Sequence, residues 1–165
     1  MTNTTWKSIP ATEACDLLDF WANAPWPMDM DQAHQYAAQL GWTVEEEDGE
    51  NFLVNEVSGL TSTDVDTPVM PSGETASITF NITDYIRDVT DESKVFLNDQ
   101  FTLYYREATA RWGAGDLSTT EGNLRIAQWE LGADKGRINI IESNKTIRAN
   151  FDTPHYAKVL RELGE

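Results

Sequence analysis

The chain has 165 residues, 40% of them hydrophobic and 10% aromatic, with 28 Asp and Glu against 12 Lys and Arg and a net charge of −16. This composition excludes a disordered chain and a coiled coil, and no apolar run is long enough to span a membrane. A chain this acidic does not grip nucleic-acid phosphates or an anionic lipid surface unaided, so neither is expected as a partner.

The first helix is expected over Ala11–Trp21, where Ala14, Leu17, Leu18 and Trp21 recur at helical spacing. Asn23-Ala24-Pro25-Trp26-Pro27 breaks it, because proline cannot continue a helix. A second helix starts at Asp29. Gln32 three residues on completes a capping box, and Met28 before the cap can pack on Ala33 as a staple. Its apolar stripe is Ala33, Tyr36, Ala37 and Leu40, and Gly41 closes it in a left-handed conformation. Trp42 to Glu46 reads as a strand, Asp48-Gly49 as a hairpin turn, and Asn51 to Val57 as the return strand. Ser58 to Thr75 is rich in Ser, Thr, Asp, Gly and Pro without periodicity and reads as a long loop. Ala76 to Thr83 alternates Ile78, Phe80 and Ile82, a half-buried strand.

The longest helix is expected over Asp91–Trp112, with Leu97, Phe101, Tyr104 and Ala108 on its buried stripe. Asp91 and Glu92 stand in its first turn and Arg106 and Arg111 near its end, as the helix dipole prefers. Three strands follow: Asn123–Leu131, Arg137–Glu142 and Thr146–Phe151, joined by hairpin-length turns. Thr153, with Pro154 at the first helical position, opens a last helix to Leu163. The order ααβββαβββα predicts an α+β fold: a mainly antiparallel sheet of about six strands with helices packed on it. A chain of this length buries roughly 70% of its unfolded surface, enough for one core, so residues 1–165 read as a single domain. Met1–Pro10 lacks a basic start followed by an apolar stretch, and Cys15 is the sole cysteine, so a cytoplasmic location is expected.

Residues with the look of chemistry do not assemble into a motif. His34 and His155 both read as surface residues, and Cys15 as a small core residue. Asp29/Asp31 and Asp64/Asp66 are the close aspartate pairs, but neither continues into a calcium loop. Gly113-Ala114-Gly115 follows a helix, whereas a phosphate loop follows a strand. No catalytic, cofactor or metal residue is therefore assigned, and no enzyme activity is expected.

Charge is the informative feature. Residues 1–86 hold 15 acids and one base, while residues 87–165 hold 13 acids and 11 bases. No Lys or Arg occurs between Lys7 and Arg87. Within that stretch Glu45, Glu46, Glu47, Asp48 and Glu50 crowd onto the hairpin tip. A solvated turn is the plain explanation. The functional one is an anionic tip that enters a basic groove, extended by Asp64, Asp66 and Glu74 in the long loop. Trp26, Trp42 and Met70 are candidate apolar anchors for such a partner, with a core role as the alternative for each.

Leu40-Gly41-Trp42 running into a hairpin, Arg111-Trp112-Gly113 ending a long helix, and a following strand with Trp129 together resemble small actinobacterial immunity proteins encoded beside secreted polymorphic toxins. The resemblance implies neutralisation in the cytoplasm of one toxin domain, an NAD-degrading enzyme or a nuclease, by a tight complex with a protein that is monomeric when free. It supplies no catalytic residue. Two other classes stay open: an acidic secretion chaperone that binds an effector protein, and an enzyme using an acid pair.

Overall fold

The computed structural model describes residues 6–165. Helix α1 (Ala11–Ala22) and helix α2 (Met30–Ala37) lead into a hairpin of β1 (Thr43–Glu47) and β2 (Glu50–Val54). The short strand β3 (Asp64–Val65) and then β4 (Ser77–Asn81) precede the long helix α3 (Asp91–Trp112). Strands β5 (Asp116–Thr119), β6 (Arg125–Glu130), β7 (Arg137–Glu142) and β8 (Ile147–Asp152) follow, and α4 (Pro154–Glu162) ends the order.

The fold is α+β and its strand pairs are antiparallel, but the strands divide into two sheets: β1-β2-β3 and β4-β8-β7-β6-β5. The expected single sheet of six strands is thus corrected to sheets of three and five. Each half of the chain contributes one strand that periodicity does not reveal. β3 is two residues long, too short to alternate, and β5 is exposed at all four positions, so no apolar face marks it. Asp66 and Thr79 exchange backbone hydrogen bonds of 2.8 and 2.9 Å, stitching the two sheets together beyond β3.

The helices cover the five-stranded sheet as their stripes require. Ala14, Cys15, Leu18 and Trp21 of α1 and Leu97, Phe101, Tyr104 and Ala108 of α3 are buried. They meet Ile78, Phe80, Ile138, Ile140, Ala149 and Phe151, the inward residues of β4, β7 and β8. The Tyr104 hydroxyl reaches the carbonyls of Ile9 and Ile82 at 2.7 and 2.8 Å, and burial holds its phenol well above the ordinary tyrosine value. Cys15 is buried, which pushes its thiol up to about 12 and keeps it an unreactive thiol.

The opposite face of that sheet carries a buried polar group of Arg137, Asn139, Asn150 and Asp152. Asp152 accepts hydrogen bonds from Asn150 at 2.9 Å and Asn139 at 3.2 Å. Burial raises the Asp152 carboxyl, and the amide hydrogen bonds and the Arg137 charge oppose that rise. Glu130 binds both Arg137 and Arg161. Burial alone would raise Glu130, but those two guanidiniums hold it below its ordinary value. Arg161 also donates to the carbonyls of Gly132, Ala133 and Lys135, which fastens α4 to the β6–β7 turn.

Two local expectations are corrected. His34 is 5% exposed, because the buried arc of α2 is Ala33, His34 and Ala37, rotated by one position away from half-buried Tyr36. Burial lowers its imidazole pKa, with Asp31 partly opposing. Residues 58–75 are not a structureless loop. Leu60 and Val65 are core residues, Asn55 N–H donates to the Thr63 carbonyl, Thr61 N–H to Asp84, and Thr75 N–H to the Met28 carbonyl. Polar composition conceals this, since the ties are made by the backbone and by short hydroxyl and carboxylate side chains.

Candidate functional site

The β1–β2 hairpin turns at Asp48 and Gly49, both with positive φ (53° and 80°), the pair of left-handed residues that a tight two-residue turn demands. Every residue of β1, and Asp48 to Asn51 after it, is exposed, so the ribbon stands in solvent on both faces. Its base is firm. Trp42 is 3% exposed and packs 5.7 Å from Trp21 and 5.4 Å from Phe80, ring centre to ring centre. Leu53 and Val54 are buried beside it.

Cross-strand register decides how the carboxylates gather. Glu47 lies opposite Glu50, and Glu45 opposite Phe52 on the same face as Thr43, Val54 and, on β3, Asp64. Glu56, in the helical turn after β2, joins this face. Partial desolvation, then the neighbouring Glu56, Asp64 and Glu47, raise the Glu45 carboxyl above its ordinary value. Among the described residues Glu45, Glu46, Glu47, Asp48 and Glu50 form no ion pair. Several arginines elsewhere are engaged by other acids: Arg111 by Asp16, Asp19 and Glu107, Arg125 by Glu142, Arg148 by Asp66.

A group whose folded pKa lies above its unfolded value destabilises the fold as pH rises through that interval. Glu45→Gln is therefore expected to raise Tm at pH 7. The gain should shrink as pH falls through the raised value towards the ordinary glutamate value, where the native side chain protonates, and be gone below it. Thermal melts from pH 3 to pH 7 read this out, and an unchanged Tm at pH 7 would show that the carboxylates are uncoupled.

The structure brings Glu45, Glu46, Glu47, Asp48, Glu50 and Asp64 onto one small sheet. Glu56 belongs with them and escapes a reading of the sequence, because only strand register places it beside Glu45. Asp66 and Glu74 stand apart. Asp66 is neutralised by Arg148, and Glu74 pairs with His155 at 2.8 Å. Met70 is half-buried in a tight turn, where its N–H donates to the Glu74 carbonyl. Trp42 is corrected from candidate surface anchor to core, since its indole lies between Trp21 and Phe80 and presents no free face. Trp26 is half-buried.

The short motifs at the helix ends have structural roles. Gly41 adopts φ 80° to end the turn before Trp42. Arg111 ties α3 to α1, the Trp112 indole N–H donates to Asp19 at 2.9 Å, and the Gly113 carbonyl accepts from the Trp129 indole at 2.9 Å. Among the described residues no group of three or more His, Cys, Asp or Glu side chains is placed to hold a metal ion, and no helix is long and apolar enough to cross a membrane.

No curated protein and no solved structure matches the chain. A family model does match, over residues 12–153, a span that runs from the second residue of α1 through α3 and all eight strands. On that match the chain belongs to DUF6301, a family of unknown function.

Proposed function

We propose that the protein is an immunity protein, acting in the cytoplasm, that neutralises a secreted bacterial toxin domain by inserting its acidic hairpin into the toxin's basic substrate cleft. The supporting observation is the hairpin itself: five carboxylates on a two-sided exposed ribbon, unpaired among the described residues and set on a rigid tryptophan base. Such an arrangement is strained by its own repulsion when free and is relieved by a cationic partner. Toxins that act on NAD or nucleic acid carry basic clefts because their substrates are phosphorylated. A rigid anionic plug competes for that cleft, and long-range attraction speeds the encounter.

The test is co-expression with the C-terminal domain of any secreted protein whose gene adjoins the one encoding this chain. Growth should be restored, and the two proteins should co-elute one to one. Hydrogen exchange then locates the contact. Amides at the 45–50 tip should exchange fast in the free protein and become protected in the complex, while those near the Asp66–Thr79 stitch stay slow in both. Undiminished growth arrest, or protection confined to residues 113–165, would overturn the proposal.

A further inference from the structure

Gln32, Gln35 and Gln39 are spaced three and four residues apart, which sets them on one side of α2 and its terminal turn, with Tyr36 among them. Ala33, His34 and Ala37 face the core, while the three glutamines are exposed and Tyr36 is half-buried. The glutamines and Tyr36 line a surface hollow of about 480 Å³ that Pro25, Pro27 and Met28 complete. Two further hollows continue it. One of about 460 Å³ shares Pro27, Met28 and Gln32 with the first and is closed by Ser72, Gly73 and Glu74. The next, of about 290 Å³, shares Pro27 and Glu74 with the second and reaches Trp26, Pro154 and His155. The shared walls place the three in a row, from the end of α2, past Pro27 and Met28, to the first turn of α4.

The aromatic walls at the two ends are held from behind. The Tyr36 ring packs 4.7 Å from Phe20, centre to centre. Trp26 stacks on Phe151 at 5.9 Å and donates its indole N–H to the Trp21 carbonyl at 2.7 Å. Both rings are therefore placed before anything binds, which lowers the entropic cost of binding. Charge is one-signed along the row. Asp29 and Glu74 are its acids, and among the described residues no Lys or Arg lines any of the three hollows. Glu74 is met by His155, and Asp29 caps α2 through Oδ1. The chain as a whole carries −16.

We infer that this row of hollows is a docking surface for an extended, basic segment of a partner polypeptide, in which apolar side chains alternate with Lys or Arg. In an extended chain, side chains two residues apart fall on one face, so three of them in succession suit three hollows walled by rings, prolines and a methionine. The backbone between them repeats N–H and C=O groups, and a glutamine amide carries both a donor and an acceptor to meet them. The intervening cations find Asp29 and Glu74 with no wall cation to repel them. No wall residue belongs to β1 or β2, so the inference does not rest on the hairpin's role.

Titrating the free protein with the capped peptide Leu-Lys-Phe-Lys-Leu-Lys, followed by NMR, tests it without any toxin. The Trp26 indole N–H and the Gln35 and Gln39 side-chain amides should shift saturably. Serine in place of Leu and Phe keeps the charge and should weaken binding at least about tenfold, since the hollows then bury no apolar side chain. Glutamate in place of Lys should weaken it at least about tenfold at low ionic strength. Gln35→Arg with Gln39→Arg sets two cations in the first hollow at exposed positions and should cost the lysine peptide about tenfold in affinity. Pro25→Arg, exposed in the same hollow, is the second variant should the first lose its native melt. No saturable shift at these three side chains, shifts confined to residues 43–54, or equal binding of the serine peptide would overturn the inference. The same shifts appearing on concentrating the protein alone would also overturn it, by assigning the hollows to a second copy of the chain.

Discussion

Alanine at position 136 should lower Tm by roughly 6–12 °C, the effect of about 3 kcal/mol of overpacking on a chain of this size. A Cβ added to Gly136 would fall well inside van der Waals contact with the Asp152 carbonyl oxygen and with the ring edge of Phe151. Neither can yield cheaply. The carbonyl belongs to the backbone of β8, whose Asp152 pairs with Arg137 next door, and Phe151 is fully buried between Ile78 and Ile138 in the register. The β6–β7 turn would have to lift off the sheet, loosening the carbonyls that Arg161 binds. Gly122→Ala is the matched control, since its nearest neighbour would be Thr120 Oγ1 at 3.9 Å. Calorimetry on the two variants should show a large loss in the first and almost none in the second. Equal melting points would mean that the turn has slack.

On the proposed function, reversing Glu45, Glu46 and Glu47 to lysine should slow association with a toxin domain at least about tenfold at low ionic strength. Three charges change sign on a ribbon exposed on both faces, so the potential that draws in a basic cleft is inverted at its strongest point. The deficit should narrow as salt rises, because screening shortens the reach of charge to a few ångströms near 1 M. Stability of the free variant should not fall, since β1 buries none of its side chains and Trp42, Leu53 and Val54 anchor the hairpin unchanged. Stopped-flow association at two salt concentrations, beside a thermal melt, separates steering from folding. An unchanged on-rate at low salt would remove the tip from the interface.

How far the sequence reveals this molecule depends on how far each signal is local. The α3 stripe, the α2 capping box and the Asp48-Gly49 turn are set by residues a few positions apart, and each is found where periodicity or turn chemistry places it. Of the three carboxylates around Glu45, Glu47 and Asp64 are visible, the first as a near neighbour and the second as an acid of the following segment, while Glu56 arrives only through a helical turn. The same limit hides the Asp66–Arg148 and Glu74–His155 pairs, which join residues 82 and 81 positions apart and take two acids out of the expected patch. β5 escapes for a different reason: with one apolar residue, Leu117, and no buried face, its existence depends on β6 offering hydrogen bonds.

The stitch at Asp66 and Thr79 makes the two sheets one array with two open flanks, β1 at one end and β5 at the other. A bare flank is a template on which a second copy can add itself, strand to strand, and so begin an aggregate. β5 is short, four residues, which limits that risk. β1 is guarded by its glutamates, because two copies paired through it would crowd the three acids of one strand against those of the other. The guard survives lysine reversal, where like charge still faces like charge, and fails on substitution by alanine or valine. Self-avoidance thus gives this strand a physical reason to carry acid that is independent of any partner: its charge keeps the molecule apart from its own copies.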